Sequence, residues 1–138
     1  MLRPFRGAGL SRPFARERLL SDLFERALAV RERAYAPYSN FRVGAAVRAR
    51  DGTVFEGVNV ENAAYPLGLC AEKAALARAV IEGYGPGQVE ELAVTASPCG
   101  GCRQWLVELG VERVVYRNAA GELVTTTPAE LLPDTFEL

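Results

Sequence analysis

Three cysteines constrain this chain more than any other feature, because they fall in two clusters and the chain has no histidine to share their work. Cys70 stands in Gly68-Leu69-Cys70-Ala71-Glu72, and Cys99 and Cys102 stand in Pro98-Cys99-Gly100-Gly101-Cys102. A soft-metal site must therefore use these thiolates plus a carboxylate or water. Three protein ligands with one open position is the arrangement of a catalytic zinc. Cys99 and Cys102 share a face if they lie in the first turn of a helix, and Pro98 suits such a start. Cys70 opens an alanine-rich stretch that reads as a second helix. The fold then has to bring two helix N-termini together, where free N–H groups and the dipole favour thiolate over thiol. Two other readings stay open. A structural zinc wants a fourth ligand that the chain lacks, and a redox Cys-x-x-Cys leaves Cys70 without a task.

The rest of the pattern supplies the elements that could hold such a site. From about Arg12 to Ala34 the apolar residues recur near every 3.6 positions, which predicts an amphipathic helix stopped by Pro37. Phe41 to Arg50 alternates like a half-buried strand, and Asp51-Gly52 is a hairpin turn leading into a second strand over Val54 to Glu61. A helix follows Cys70 and ends at Gly83. Strands are predicted at Glu91 to Ala96, Glu112 to Asn118 and Leu123 to Thr127. A helix from Pro98 to about Leu109 and a short turn from Pro128 to Leu132 complete the order α β β α β α β β α. Strands interleaved with helices imply a layered α/β fold. Residues 1–17 read as an N-terminal extension and 18–138 as one domain, which is ample length for a core.

Composition excludes some classes and narrows others. No apolar run approaches the roughly 18–20 residues of a membrane span, and the N-terminal stretch lacks a secretory apolar segment. An odd, small number of cysteines argues for a reducing, cytoplasmic setting. Residues 1–50 carry eleven Arg against four acids, whereas residues 51–138 carry five basic residues against thirteen acids. A basic face for nucleic acid is one reading of that asymmetry. A solvated helix neutralised by the rest of the fold is the simpler one, since the arginines lack interleaved aromatics.

Glu72 is placed to do proton work: it is too near Cys70 in sequence to be an obvious ligand, yet it can face the open position. A metal that activates water beside a carboxylate that carries the proton is the logic of zinc deaminases. Three thiolates on Zn²⁺ leave a net negative site. Lys73, the one lysine of the chain, and Arg103 are candidates to compensate it.

Three ordered blocks carry a family resemblance. Tyr38-Ser39-Asn40-Phe41-Arg42-Val43-Gly44-Ala45-Ala46, the run Asn59-Val60-Glu61-Asn62-Ala63-Ala64-Tyr65-Pro66-Leu67-Gly68-Leu69-Cys70-Ala71-Glu72, and Ser97-Pro98-Cys99-Gly100-Gly101-Cys102-Arg103-Gln104 closely resemble the small, homotetrameric cytidine deaminases. The resemblance implies a three-layer α/β/α fold around a mixed five-stranded sheet. It implies zinc-dependent hydrolysis of cytidine and 2′-deoxycytidine to the uridines, with Cys70, Cys99 and Cys102 as ligands and Glu72 as proton shuttle. It further implies that Asn59 and Glu61 bind the ribose, that Phe41 packs on the pyrimidine and that Ala71 contacts substrate. Ala63, Tyr65 and Phe136 would reach a neighbouring subunit's site. A strand-end capping role remains open for Asn59 and Glu61, and a plain core role for Phe41. The chain departs from the pattern at Lys73, where the family usually has Arg, and lysine keeps the charge without the forked donor. An aminonucleoside-antibiotic deaminase of the blasticidin S type, a polynucleotide deaminase and a zinc-stabilised binding module are the competing readings. The intact Asn59, Glu61 and Tyr65-Pro66-Leu67-Gly68 favour cytidine.

Overall fold

The computed structural model describes residues 12–138. Residues 1–11, most of the proposed extension, lie outside the described residues. Helix α1 spans Arg12–Val30 and runs into a 3₁₀ turn at Arg31–Arg33. Strands β1 (Gly44–Ala49) and β2 (Val54–Val58) form the hairpin, followed by a 3₁₀ turn at Tyr65–Leu67 and helix α2 (Ala71–Ile81). Strand β3 (Val89–Val94), helix α3 (Gly100–Glu108), strands β4 (Arg113–Arg117) and β5 (Leu123–Thr126) and the short helix α4 (Pro128–Leu131) complete the chain.

The sheet order is β2-β1-β3-β4-β5. β3 and β4 run parallel, while β1 is antiparallel to both β2 and β3 and β5 antiparallel to β4. The expected mixed five-stranded sheet is therefore present. Helix α1 buries Leu20, Leu23, Phe24 and Ala27 against Ala46, Ala93 and Val115 on one face. On the other face Ala71, Ala75, Leu76 and Ala79 of α2 and Leu106 of α3 pack on Ala45, Val47, Leu92, Val94 and Val114. Helices on both faces make the three layers.

Two glycines set how closely those layers approach. A Cβ on Gly44 would lie 2.0 Å from the Ala27 carbonyl oxygen of α1, and one on Gly57 would lie 2.4 Å from Ala75 N and 2.5 Å from Ala71 O of α2. Only a residue without a side chain fits at either crossing.

The boundaries differ from expectation in instructive ways. β1 is not half-buried. Its residues 44–47 are buried on both faces, because α1 covers one side and α2 the other. Phe41 to Val43 are not strand. Asn40 takes the left-handed conformation at φ 56°, and the Asn59 side chain occupies the backbone partners of Phe41 and Val43 that a strand would use. β2 stops at Val58, although Val60 still makes isolated bridges to Tyr35 and Leu69. β3 begins two residues earlier than predicted, at Val89, which pairs with Ala49 of β1; Glu91 is therefore inside the sheet, buried and paired at 2.6 Å with Arg48 on the neighbouring strand.

Candidate metal centre and active site

The two ligand clusters lie at helix starts, as their spacing predicts. Cys70 is the N-cap of α2 and Cys99 the N-cap of α3, with Cys102 in the first turn of α3. Cys102 N donates to the Cys99 sulfur at 3.5 Å. The sheet brings both helix starts to one place. The Cys70 and Cys99 sulfurs are 4.0 Å apart, and all three sulfurs lie within 4.8 Å of one another. Tetrahedral zinc with bonds of about 2.3 Å holds its sulfurs roughly 3.8 Å apart, so the donor set fits that ion with little adjustment. All three cysteines are free thiols.

Burial pushes the Cys70 thiol up, with neighbouring negative charge adding to it. It pushes Cys102 up much further. At Cys99 burial acts in the same direction but loses to the Cys102 backbone N–H and neighbouring donors, so that thiol is lowered. Glu72, on the first turn of α2, is 3% exposed. Burial raises its carboxyl above the usual range, against partial opposition from hydrogen bonds and Lys73.

Cys70, Cys99 and Glu72 open on a cavity of about 820 Å³. Its walls also include Phe41, Asn59, Glu61, Ala63, Tyr65 and Ala71. Phe41 is 61% exposed, so it is a wall and not core. Asn59 and Glu61 both face the 38–43 segment. Glu61 Oε1 accepts from Tyr38 N at 2.9 Å and Ser39 N at 3.1 Å. Asn59 Oδ1 accepts from Val43 N at 2.8 Å, and its Nδ2 donates to Phe41 O at 2.9 Å. The hydrogen bonds from Ser39 hold the Glu61 carboxyl below the usual range. The capping role left open in the sequence is thus real, and it coexists with a place on the cavity wall.

Other expected residues fall elsewhere. A Cβ on Gly101 would meet Lys73 Nζ at 3.4 Å and Cys99 Sγ at 3.9 Å, so ammonium and thiol flank the same bare Cα. The Arg103 guanidinium is engaged by backbone, donating to Pro98 O at 2.9 Å and Leu131 O at 3.0 Å. It clamps the metal turn to α4 and does not reach a thiol through those bonds. Phe136 is 70% exposed and does not line its own chain's cavity. Sequence reasoning missed Val43, Leu69, Ala96 and Ser97 as walls. Val43, Leu69 and Ser97 lie inside the three motif blocks and Ala96 adjoins one, but nothing in their side chains alone marks them.

An α/β/α domain that clusters three thiols, two of them opening with a buried carboxyl on one cavity, has the make-up of a zinc-dependent nucleobase deaminase. The comparisons are specific. The family described as "Cytidine and deoxycytidylate deaminase zinc-binding region" matches residues 18–118. The cytidine deaminase of Sporosarcina psychrophila is 46% identical over 114 residues, covering 77% of this chain and 82% of that protein. The cytidine deaminase of Halalkalibacterium halodurans is 43% identical over 122 residues, covering 83% and 91%. The crystal structure of cytidine deaminase from Burkholderia pseudomallei superposes with a TM-score of 0.79 at 49% identity, covering 84% of this chain and 98% of that one. This chain belongs to the cytidine and deoxycytidylate deaminase family, and zinc is the cofactor of that family's binding region.

Proposed function

We propose that this chain hydrolyses cytidine and 2′-deoxycytidine to uridine and 2′-deoxyuridine, releasing ammonia, with one zinc held by Cys70, Cys99 and Cys102. The observation that carries the reading is the shared cavity: Cys70, Cys99 and buried Glu72 lie on the same cavity as Phe41, Asn59 and Glu61, with Cys102 clustered behind the two thiols. When bound, zinc activates water for attack on an electron-poor ring carbon. Glu72, buried and with a raised affinity for protons, would take the two protons of that water in turn, passing the first to ring N3 and the second to the departing amine, so that water is consumed and ammonia leaves. Phe41 supplies a flat apolar wall for the pyrimidine, beside the backbone of Ala71. Glu61 stays ionised and is acceptor-only, which suits a sugar hydroxyl as donor.

The cavity favours a nucleoside over a nucleotide. Among the described residues its walls carry the carboxyls of Glu61 and Glu72 and no Lys or Arg. A phosphate there would meet like charge without a partner. Lys73 supplies positive charge beside Cys99. Arg103 adds its charge to the same turn while clamping it.

Assembly and location extend the reading. Tyr65, Leu67 and Leu69 are 93%, 69% and 41% exposed, which supports a homotetramer; Ala63 and Tyr65 line their own chain's cavity, from whose mouth they would also reach a neighbour's site, as Phe136 would. Among the described residues no helix is long and apolar enough to cross a membrane, which accords with a cytoplasmic enzyme.

The test is zinc content and the ultraviolet change on adding cytidine, measured on one sample with Glu72→Gln as control. About one zinc per chain, with uridine formed only by the unaltered protein, is the expected result. Zinc bound and cytidine untouched would move the site to a blasticidin-type substrate or to a binding module.

A further inference from the structure

The segment from Tyr38 to Val43 forms one wall of the cavity, yet apart from Val43, which packs on the core, little packing holds it. Tyr38 and Phe41 are 60% and 61% exposed. Asn40 sits in the left-handed region at φ 56°, and the segment joins no strand. Main-chain bonds hold it at two points, Asn40 N donating to Ala36 O at 3.0 Å and Asn59 N to Val43 O at 3.1 Å, and Arg42 pairs with Glu32 at the surface. Its other attachments are side-chain bonds to its backbone. Glu61 Oε1 receives the N–H groups of Tyr38 and Ser39, and the Asn59 amide receives Val43 N and donates to Phe41 O. The Ser39 hydroxyl closes the turn from inside by accepting from Phe41 N at 3.0 Å.

Neither tethering residue is exhausted by this. A carboxylate has a second oxygen, and an amide group has a second N–H and a second lone pair. Both side chains also line the cavity. Their own placement is firm. The run 59–61 is bonded on both sides, with Tyr35 N donating to Asn59 O at 3.0 Å, Glu61 N to Tyr35 O at 2.8 Å and Val60 N to Leu69 O at 2.9 Å.

We propose that Asn59 and Glu61 are positioning residues for the Tyr38–Val43 segment as well as sugar contacts, so that one pair of side chains both binds the sugar and sets Phe41 against the base. The sugar half rests on the proposed function; the tether half does not. Sugar recognition and base placement are thereby linked. A 2′- or 3′-hydroxyl donating to Glu61 engages the carboxyl that fixes the aromatic wall, and loss of that carboxyl disturbs even substrates that lack both of those hydroxyls.

That last consequence separates the two roles. Cytidine and 2′,3′-dideoxycytidine are compared in the unaltered enzyme, Glu61→Ala and Glu61→Gln, with kcat and KM resolved, alongside amide hydrogen exchange of residues 38–43. A carboxyl that only grips the sugar leaves dideoxycytidine turnover unchanged when removed. A tether lowers kcat/KM for dideoxycytidine about tenfold or more in Glu61→Ala, the scale of losing hydrogen bonds to a charged group. It also speeds exchange at Tyr38 and Ser39, while α2 and α3 keep their protection. Glu61→Gln retains an acceptor oxygen and restores most of both. Adding Phe41→Ala to Glu61→Ala costs little more on dideoxycytidine, because both act through one wall.

Unchanged dideoxycytidine turnover with unchanged exchange overturns the proposal. Equal losses on cytidine and dideoxycytidine support the tether and remove the sugar contact from the proposed function. If the unaltered protein turns over neither compound, the exchange measurement decides alone.

Discussion

Glu72 owes its chemistry to the point at which α2 begins. One turn further on it would face the sheet as an unpaired carboxylate; on the first turn it borders both the thiols and the cavity. Replacement by Gln keeps the shape and removes the proton carrier. The expected result is a fall in kcat of about 10²- to 10⁴-fold with zinc content unchanged, read by turnover and metal analysis of the same preparation. The thiols make a second prediction. Without metal, burial holds the protons on Cys70 and Cys102, while Cys99 gives its proton up more readily. Zinc must therefore displace at least two protons near neutral pH. Raised thiol values make apparent affinity climb as pH rises and fall as pH drops, by roughly 100-fold per unit for two protons. Competition with a chromogenic chelator between about pH 6 and 8 measures the slope, and a slope near zero would mean the thiols are already ionised.

At the scale of elements, the site depends on residues that never touch it. Gly57 lies on β2 outside the cavity, but its missing side chain lets α2 sit on the sheet. Gly57→Ala drives a methyl into α2 backbone and displaces the helix start that carries Cys70 and Glu72. The expected cost is about 1–3 kcal/mol together with a reduced kcat, read by thermal melting and turnover; lost stability with normal kcat would show that α2 moves without its N-terminus. This residue also marks the limit of what could be read beforehand. The hairpin, the helix order and the thiol spacing were legible, because hydrophobic period and turn chemistry act locally. Gly57 looked like any strand residue, since its role is fixed by a helix in another layer. The same holds for Phe41 to Val43. Their alternation reads as strand, but Asn59 takes the place of the neighbouring chain. Glu91 reads as a strand boundary because its partner, Arg48, lies on another strand. Arg103 was read by its charge, whereas its donors are committed to Pro98 and Leu131.

For the whole molecule, part of the uneven charge of the sequence folds against itself. Arg26 pairs with Glu56, Arg48 with Glu91 and Arg50 with Glu112, each joining the basic first part to the acidic remainder. The Arg48–Glu91 pair has the largest consequence: with side chains 13% and 5% exposed, Glu91→Ala leaves the Arg48 charge without a counterion and with only the Leu19 carbonyl, at 3.0 Å, as acceptor. A loss of about 3 kcal/mol is expected in chemical denaturation; a near-zero change would mean that Arg48 finds another partner or water. What the fold does not cover is the apolar rim of the cavity. Tyr35, Val60, Tyr65 and Leu67 remain 56%, 42%, 93% and 69% exposed, and soluble monomers seldom leave large apolar patches in water. The proposed tetramer would bury this rim and complete each site with a neighbour's residues. Leu67 tests that directly, because it is exposed and is not among the cavity walls of its own chain. Leu67→Asp places a charge where association would have to desolvate it, leaving the thiols and Glu72 untouched. Light scattering should then report a smaller species that retains its zinc and has lost most of its turnover. Full activity in that smaller species would show that one chain's cavity suffices, and an unchanged tetramer would put the interface on another face.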